Sequence, residues 1–213
     1  MLKCQSELFQ PSLKLVDGLK MSTKEELKRM AKILLLPVPT KLCKDEYVTY
    51  FAEAVLTCPE MWLSRLTHYE LTLLDKLVKA GSGSYVECKN SFLETTLETL
   101  SFIATDCNHM DESKVRYMIC DELREAVAPY LSKLLTSKKQ SVHFMIEQYA
   151  CGIVNLYGFL SYSDLLYILV GYLQHSATRE EIADSLANSA LIQRLTFEME
   201  DGYNTNLYIE SPF

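Results

Sequence analysis

Seven cysteines, four histidines and several adjacent acids are the residues of this 213-residue chain with the most obvious chemical potential. Cys107-Asn108-His109, with Asp106, Asp111 and Glu112, gathers metal-type ligands in one polar stretch. Structural zinc takes four ligands, commonly in closely spaced pairs. Only one such pair is evident, so the stretch reads as a polar interhelical loop and no metal site is assigned. The cysteines stand at 4, 43, 58, 88, 107, 120 and 151, an odd number with no C-x-x-C spacing. That pattern predicts reduced thiols, several serving as small core residues.

Thiol catalysis needs a thiolate of lowered pKa and a histidine oriented by a third group. His68, His109, His143 and His175 show no spacing to the cysteines that selects a pair. His143 and His175 flank the helices of the last third and read as surface or cap residues. Adjacent helical residues point in different directions, so Glu180-Glu181 does not bracket a substrate; first-turn acids also favour the helix dipole. "AGSGSYV" lacks the frame of a phosphate-cradling loop and follows a helix, and there is no H-E-x-x-H. No catalytic residue and no cofactor is assigned. The expectation is a non-enzymatic protein.

The elements that would position any site are predominantly helical. Ser22-Thr23-Lys24-Glu25 fits a capping box, and Leu27, Met30, Ala31, Leu34 and Leu35 follow as a one-sided stripe. Pro37 and Pro39 end that helix, because a residue before proline is pushed out of the α region. Val48, Phe51, Ala52 and Val55 make a second stripe, closed by Pro59. A third helix is predicted over 67–79, with Gly81 as its cap, and "SYVEC" as a short strand. Leu93, Leu97, Leu100, Ile103 and Ala104 predict a fourth helix. The run "DCNHMDES" (106–113) is the best internal break.

A long helix is expected from Val115 through Met118, Ile119, Leu123 and Val127, with Pro129 kinking or restarting it, and "TSKKQS" as the next loop. Val142 to Tyr157 reads as a helix ending at Gly158. Ser161-Tyr162-Ser163-Asp164 opens another, and Thr178-Arg179-Glu180-Glu181 is a second capping box. Then "LTFEMEDGYNTNLYIE" changes period: Phe197 and Met199 alternate with acids, Asp201-Gly202 marks a turn, and Leu207 and Ile209 alternate again. Three helices followed by a hairpin is the order of a winged helix. The expected fold class is therefore all-α or α-rich: a helical bundle-like assembly with a C-terminal winged-helix-like unit and one small β hairpin. Two regions are expected, 1–107 and 112–213.

Charge is uneven. The net charge is −7, yet residues 1–44 hold nine Lys/Arg against four Asp/Glu, and residues 45–213 hold twelve against twenty-four. Phosphate attraction can act only at the N-terminal end. There, "STKEELKRMAKILLL", the linker "PVPTKLC" and "KDEYVTYFAEAV" form a basic helical hairpin over 21–55. These residues, about 19–56, resemble the N-terminal helical module of the Rho transcription terminator and related SAP-type modules. The resemblance implies a nucleic-acid contact, or in some members a protein contact. Its phosphate-facing candidates would be Lys28, Arg29, Lys32, Lys41 and Lys44. Two prolines replace the usual linker glycine, and the body beside the module is acidic. The rest looks like a helical bacterial protein and carries no motif that names a family.

The winged-helix candidate has the wrong sign for DNA. Its groove-entering helix would be "TREEIADSLANS", with Arg179 against Glu180, Glu181 and Asp184, and carboxylates beside phosphates oppose binding. The run "YACGIVNLYGFLSYSDLLYILVGYL" has no Lys or Arg, so it does not suit base stacking on a charged backbone. It reads as core whose tyrosines bury their rings, or as an oligomer interface. No run reaches membrane-spanning length, and the start lacks a charged leader with an apolar core, so the expected location is the cytoplasm. The sequence thus predicts a binding or adaptor protein with weak nucleic-acid contact through the hairpin. The alternative is a protein-interaction scaffold or homo-oligomer with no nucleic-acid contact.

Overall fold

The computed structural model describes residues 14–89, 95–106, 114–198 and 205–208. Among them the chain is mostly helical, with eleven helical segments and two three-stranded sheets. It divides into two compact units: Met1–Ser64 with Tyr69–Leu134, and Arg65–His68 with Leu135–Phe213. The sequence places the division at 107–112. Strands on either side of that stretch pair with each other, which keeps both sides in the first unit.

Unit 1 begins with α1 (Leu15–Lys20), α2 (Lys24–Leu34), α3 (Lys44–Thr57), α4 (Pro59–Leu63) and most of α5 (His68–Ala80). The capping box of α2 sits one residue later than expected. The Thr23 amide donates to Glu26 Oε2 at 2.6 Å and the Glu26 amide to Thr23 Oγ1 at 3.2 Å. Leu27, Met30, Ala31, Ile33 and Leu34 are buried; Leu35 instead takes a left-handed conformation, φ 56°, and turns its side chain to solvent. That turn, just ahead of the two prolines, ends the helix. Val48, Phe51, Ala52 and Val55 of α3 are all buried, as their spacing predicts. Pro59 does not only close α3; it also opens α4, where its missing N–H costs nothing. Trp62 is completely buried, donates from Nε1 to Val55 O at 3.0 Å and meets Phe102 edge-on at 5.1 Å.

Next come β1 (Tyr85–Lys89), α6 (Thr96–Thr99), β2 (Ile103–Asp106), β3 (Lys114–Ile119) and α7 (Asp121–Thr136). The sheet order is β1-β3-β2, all antiparallel. One expected helix shrinks here, and the first part of another is replaced by a strand while Leu123 and Val127 stay helical and buried. Leu93 lies outside the described residues; those from 95 to 104 form only one helical turn, because Ser101 turns left-handed at φ 53° and sends the chain into β2. Val115, Met118 and Ile119 belong to the central strand, not to a helix. A central strand buried on both faces loses its period of two and mimics helical spacing. The single expected hairpin is therefore only part of the β structure. Helix α7 runs on through Pro129, and the expected loop after it shrinks to Ser137, which caps the next helix.

Unit 2 contains α8 (Lys138–Tyr157), β4 (Phe159–Ser161), α9 (Tyr162–Leu173), α10 (Arg179–Asn188), α11 (Ala190–Leu195), β5 (Thr196–Glu198) and β6 (Thr205–Tyr208). Its sheet order is β4-β6-β5, antiparallel throughout. Ile146, Ala150 and Val154 of α8 meet Leu165, Leu169 and Leu173 of α9, with Ile182 and Leu186 of α10 completing the core. The four-residue spacing on α8 and α9 is the helical contact period. Gly158, φ 73°, ends α8, and the Ser161 side chain caps α9. Thr178 and Glu181 form the expected capping box of α10. The turn residues 201–202 and the tail beyond 208 lie outside the described residues.

Candidate functional site

The five basic candidates of unit 1 do not behave alike. Lys28 is half-buried and pairs with Glu25 at 2.8 Å. Lys44 donates to the backbone oxygen of Lys20 at 3.0 Å, so it closes the end of α1. Arg29 and Lys32 on α2 and Lys41 in the linker are exposed. Among the described residues, none of these three has an ion-pair or hydrogen-bond partner for its side chain. The hairpin therefore offers three uncommitted cations, and two whose charge is already engaged.

In unit 2 the first turn of α10 carries Glu180 and Glu181, with Asp184 one turn on; Glu180 and Glu181 are exposed and Asp184 is exposed too. Glu181 accepts from the Thr178 amide at 2.7 Å, which uses one of its oxygens. The acidic character anticipated for this helix is therefore at the surface.

The tyrosines of the last third depart from expectation. Tyr149, Tyr157, Tyr167 and Tyr172 are exposed, and so are Leu156, at 80%, and Phe159. Only the inward positions of α8 and α9 follow the core reading. Because helices bury one face, the sequence's uniform apolarity hid an outward face that is apolar as well.

Reasoning from sequence also missed a buried polar cluster. His143 is not a surface residue; it is 6% exposed, and its Nε2 has no hydrogen-bond partner. Burial, with lesser help from the charges of Arg65 and Lys139, pushes its pKa down to about 4. Arg65 is buried in the same unit and donates to Asn188 Oδ1 at 3.1 Å and Ala187 O at 3.4 Å. One helical turn from His143, Glu147 accepts from the Ser189 hydroxyl. His68 stacks on Phe144 at 4.9 Å. The i, i+4 spacing of His143 and Glu147 was the only available signal. In this arrangement the serine bonds the carboxylate and not the imidazole, so no base is aligned to activate it. The cluster ties Arg65–His68 to α8 and to the α10–α11 junction.

Cys120 and Cys151 show no activation. Burial raises Cys120 to about 11 and Cys151 to about 12, the reverse of what a nucleophile needs. Cys43, Cys58, Cys88, Cys120 and Cys151 are all free. Among the described residues, no group of three His, Cys, Asp or Glu is placed to hold a metal ion; the Cys107–His109 pair lies outside them. Among the described residues, no helix is long and apolar enough to cross a membrane. No protein-family model matches the chain, and neither a curated protein nor a solved structure matches it.

Proposed function

We propose that this chain is a non-enzymatic binding protein of the cytoplasm whose unit 2 is a winged-helix-like module used for protein contact. The element order helix, strand, three helices, strand, strand, with the first strand paired to the last, supports the winged-helix reading, the short α11 standing as an extra turn before the hairpin. The observation that carries the functional reading is the outward face of α8 and α9. Four tyrosines and Leu156 are exposed on these helices and Phe159 on β4 between them, in a stretch without Lys or Arg. Exposed apolar groups in such number mark a protein contact. The exposed acids of α10, in the position where a DNA reader carries its basic or amide side chains, argue in the same direction.

A second reading rests on Arg29, Lys32 and Lys41. Three exposed cations without partners support weak, salt-sensitive nucleic-acid contact through the hairpin, alongside the protein contact of unit 2. Lys28 and Lys44 contribute less to it, since each is engaged within unit 1. A photo-cross-linking residue placed at Tyr167 tests the first reading, with protein adducts expected. Titration of single- and double-stranded oligonucleotides at low salt tests the second. Binding that disappears on charge reversal at Arg29 and Lys32 is expected; binding that ignores that change removes it.

A further inference from the structure

Helix α8 is twenty residues long, and its exposed positions between 141 and 157 include no charged side chain. Its acid, Glu147, is buried and so is His143. A solvent-facing helix surface ordinarily carries charge. This one presents Gln148, Tyr149, Gly152, Asn155, Leu156 and Tyr157 instead. Gly152 has no internal duty: a Cβ there would meet nothing within 4 Å. A glycine inside a helix costs about 1 kcal/mol against alanine, and here it leaves a notch between an exposed tyrosine and an exposed leucine.

We propose that this face is the two-fold interface of a homodimer, with α8 crossing its copy antiparallel at Gly152. The inference rests on reading unit 2 as a protein-contact module and names its partner as a second copy of this chain. Two features favour that occupant. The first is symmetry. Centred between Gly152 and Ile153, an antiparallel pair sets Tyr149 against Leu156 of the copy, and Leu156 against Tyr149. A two-fold interface requires such reciprocal pairing. The two Tyr149–Leu156 contacts lie about two helical turns apart, roughly 10 Å, with the two glycines between them letting the backbones approach.

The second feature is charge. Two copies of a chain with net charge −7 repel each other wherever acids face acids. The exposed face of α8 lets them meet without that penalty, and it offers a basic or acidic partner nothing to pair with. Gln148, Tyr149, Gly152, Asn155 and Leu156, the exposed residues on that side of α8, together present on the order of 400 Å², about half of what a standard interface buries on each side. The dimer is accordingly weak, with a dissociation constant on the order of 10–100 μM.

Sedimentation velocity of the full chain between about 5 and about 300 μM tests this. The expected result is a reversible dimer at the upper end, little affected by salt. Tyr149→Lys and Leu156→Glu, each folded by circular dichroism, should each weaken it by about tenfold or more. The double variant should restore it, because the pairing sets each new charge against its opposite. Wild-type protein that stays monomeric overturns the proposal. So do single variants that still dimerise, and a double variant that stays monomeric. Protein adducts at Tyr167 that persist in a monomeric chain would leave the protein-contact reading intact while this proposal falls.

Discussion

The Ser189 hydroxyl donates to the buried carboxylate of Glu147 and accepts from the Ile192 amide at 3.1 Å, so one side chain joins α8 to the first turn of α11. The bond to Glu147 is not visible in a sequence where the two residues stand 42 positions apart. Ser189→Ala removes a donor from a buried charge and an acceptor from a helix-terminal amide. The expected loss is about 1–3 kcal/mol of stability, read as a lowered denaturation midpoint with no change in its slope.

His143 should make stability depend on pH. Its folded-state pKa, about 4, lies below the ordinary value of 6.5. The folded protein therefore binds fewer protons than the unfolded chain between those values. Stability is fully present above about 6.5 and is lost as pH falls toward 4. The loss amounts to at most about 3 kcal/mol. Chemical denaturation at a series of pH values should show this slope in the wild type. His143→Phe should flatten it, since the unpartnered Nε2 leaves no hydrogen bond to lose. An identical slope in both proteins would contradict the burial-driven shift.

Gly18 is fixed by packing. A Cβ at that position would lie 2.7 Å from the backbone oxygen of Ser101, itself in a left-handed conformation. Backbone cannot swing aside as a side chain can, so Gly18→Ala should destabilise unit 1 by about 1–3 kcal/mol. Thermal unfolding would show the drop.

Gly152→Ala should act in the opposite direction. The new methyl meets nothing within 4 Å and the helix gains about 1 kcal/mol from alanine's propensity. Thermal unfolding at low concentration should register the gain. Sedimentation at high concentration should register a weaker dimer, because the notch is filled.

Much of the local structure was legible in the sequence. The stripes of α2 and α3, the capping box of α10, Gly158 as the stop of α8 and the pairing of β5 with β6 follow from period, caps and turn residues. What escaped was set by tertiary contacts. The spacing of Val115, Met118 and Ile119 fits a helix as well as a strand buried on both faces, and only β1 and β2 on either side decide it. His143 gave no sign of burial, and Arg65, whose charge acts on it, is 78 positions away in the chain. The basic candidates were found as a group. Their division into engaged Lys28 and Lys44 and free Arg29, Lys32 and Lys41 depends on where Glu25 and the end of α1 fall in space.

The central claim is that unit 2 meets protein and not nucleic acid. Photo-cross-linking in cells with the reactive residue at Tyr167, and in parallel at Glu180, tests it most directly. The predicted result is protein adducts at Tyr167 and no nucleic-acid adduct at either position. Nucleic-acid adducts at Glu180, on the helix that carries the exposed acids, would contradict it.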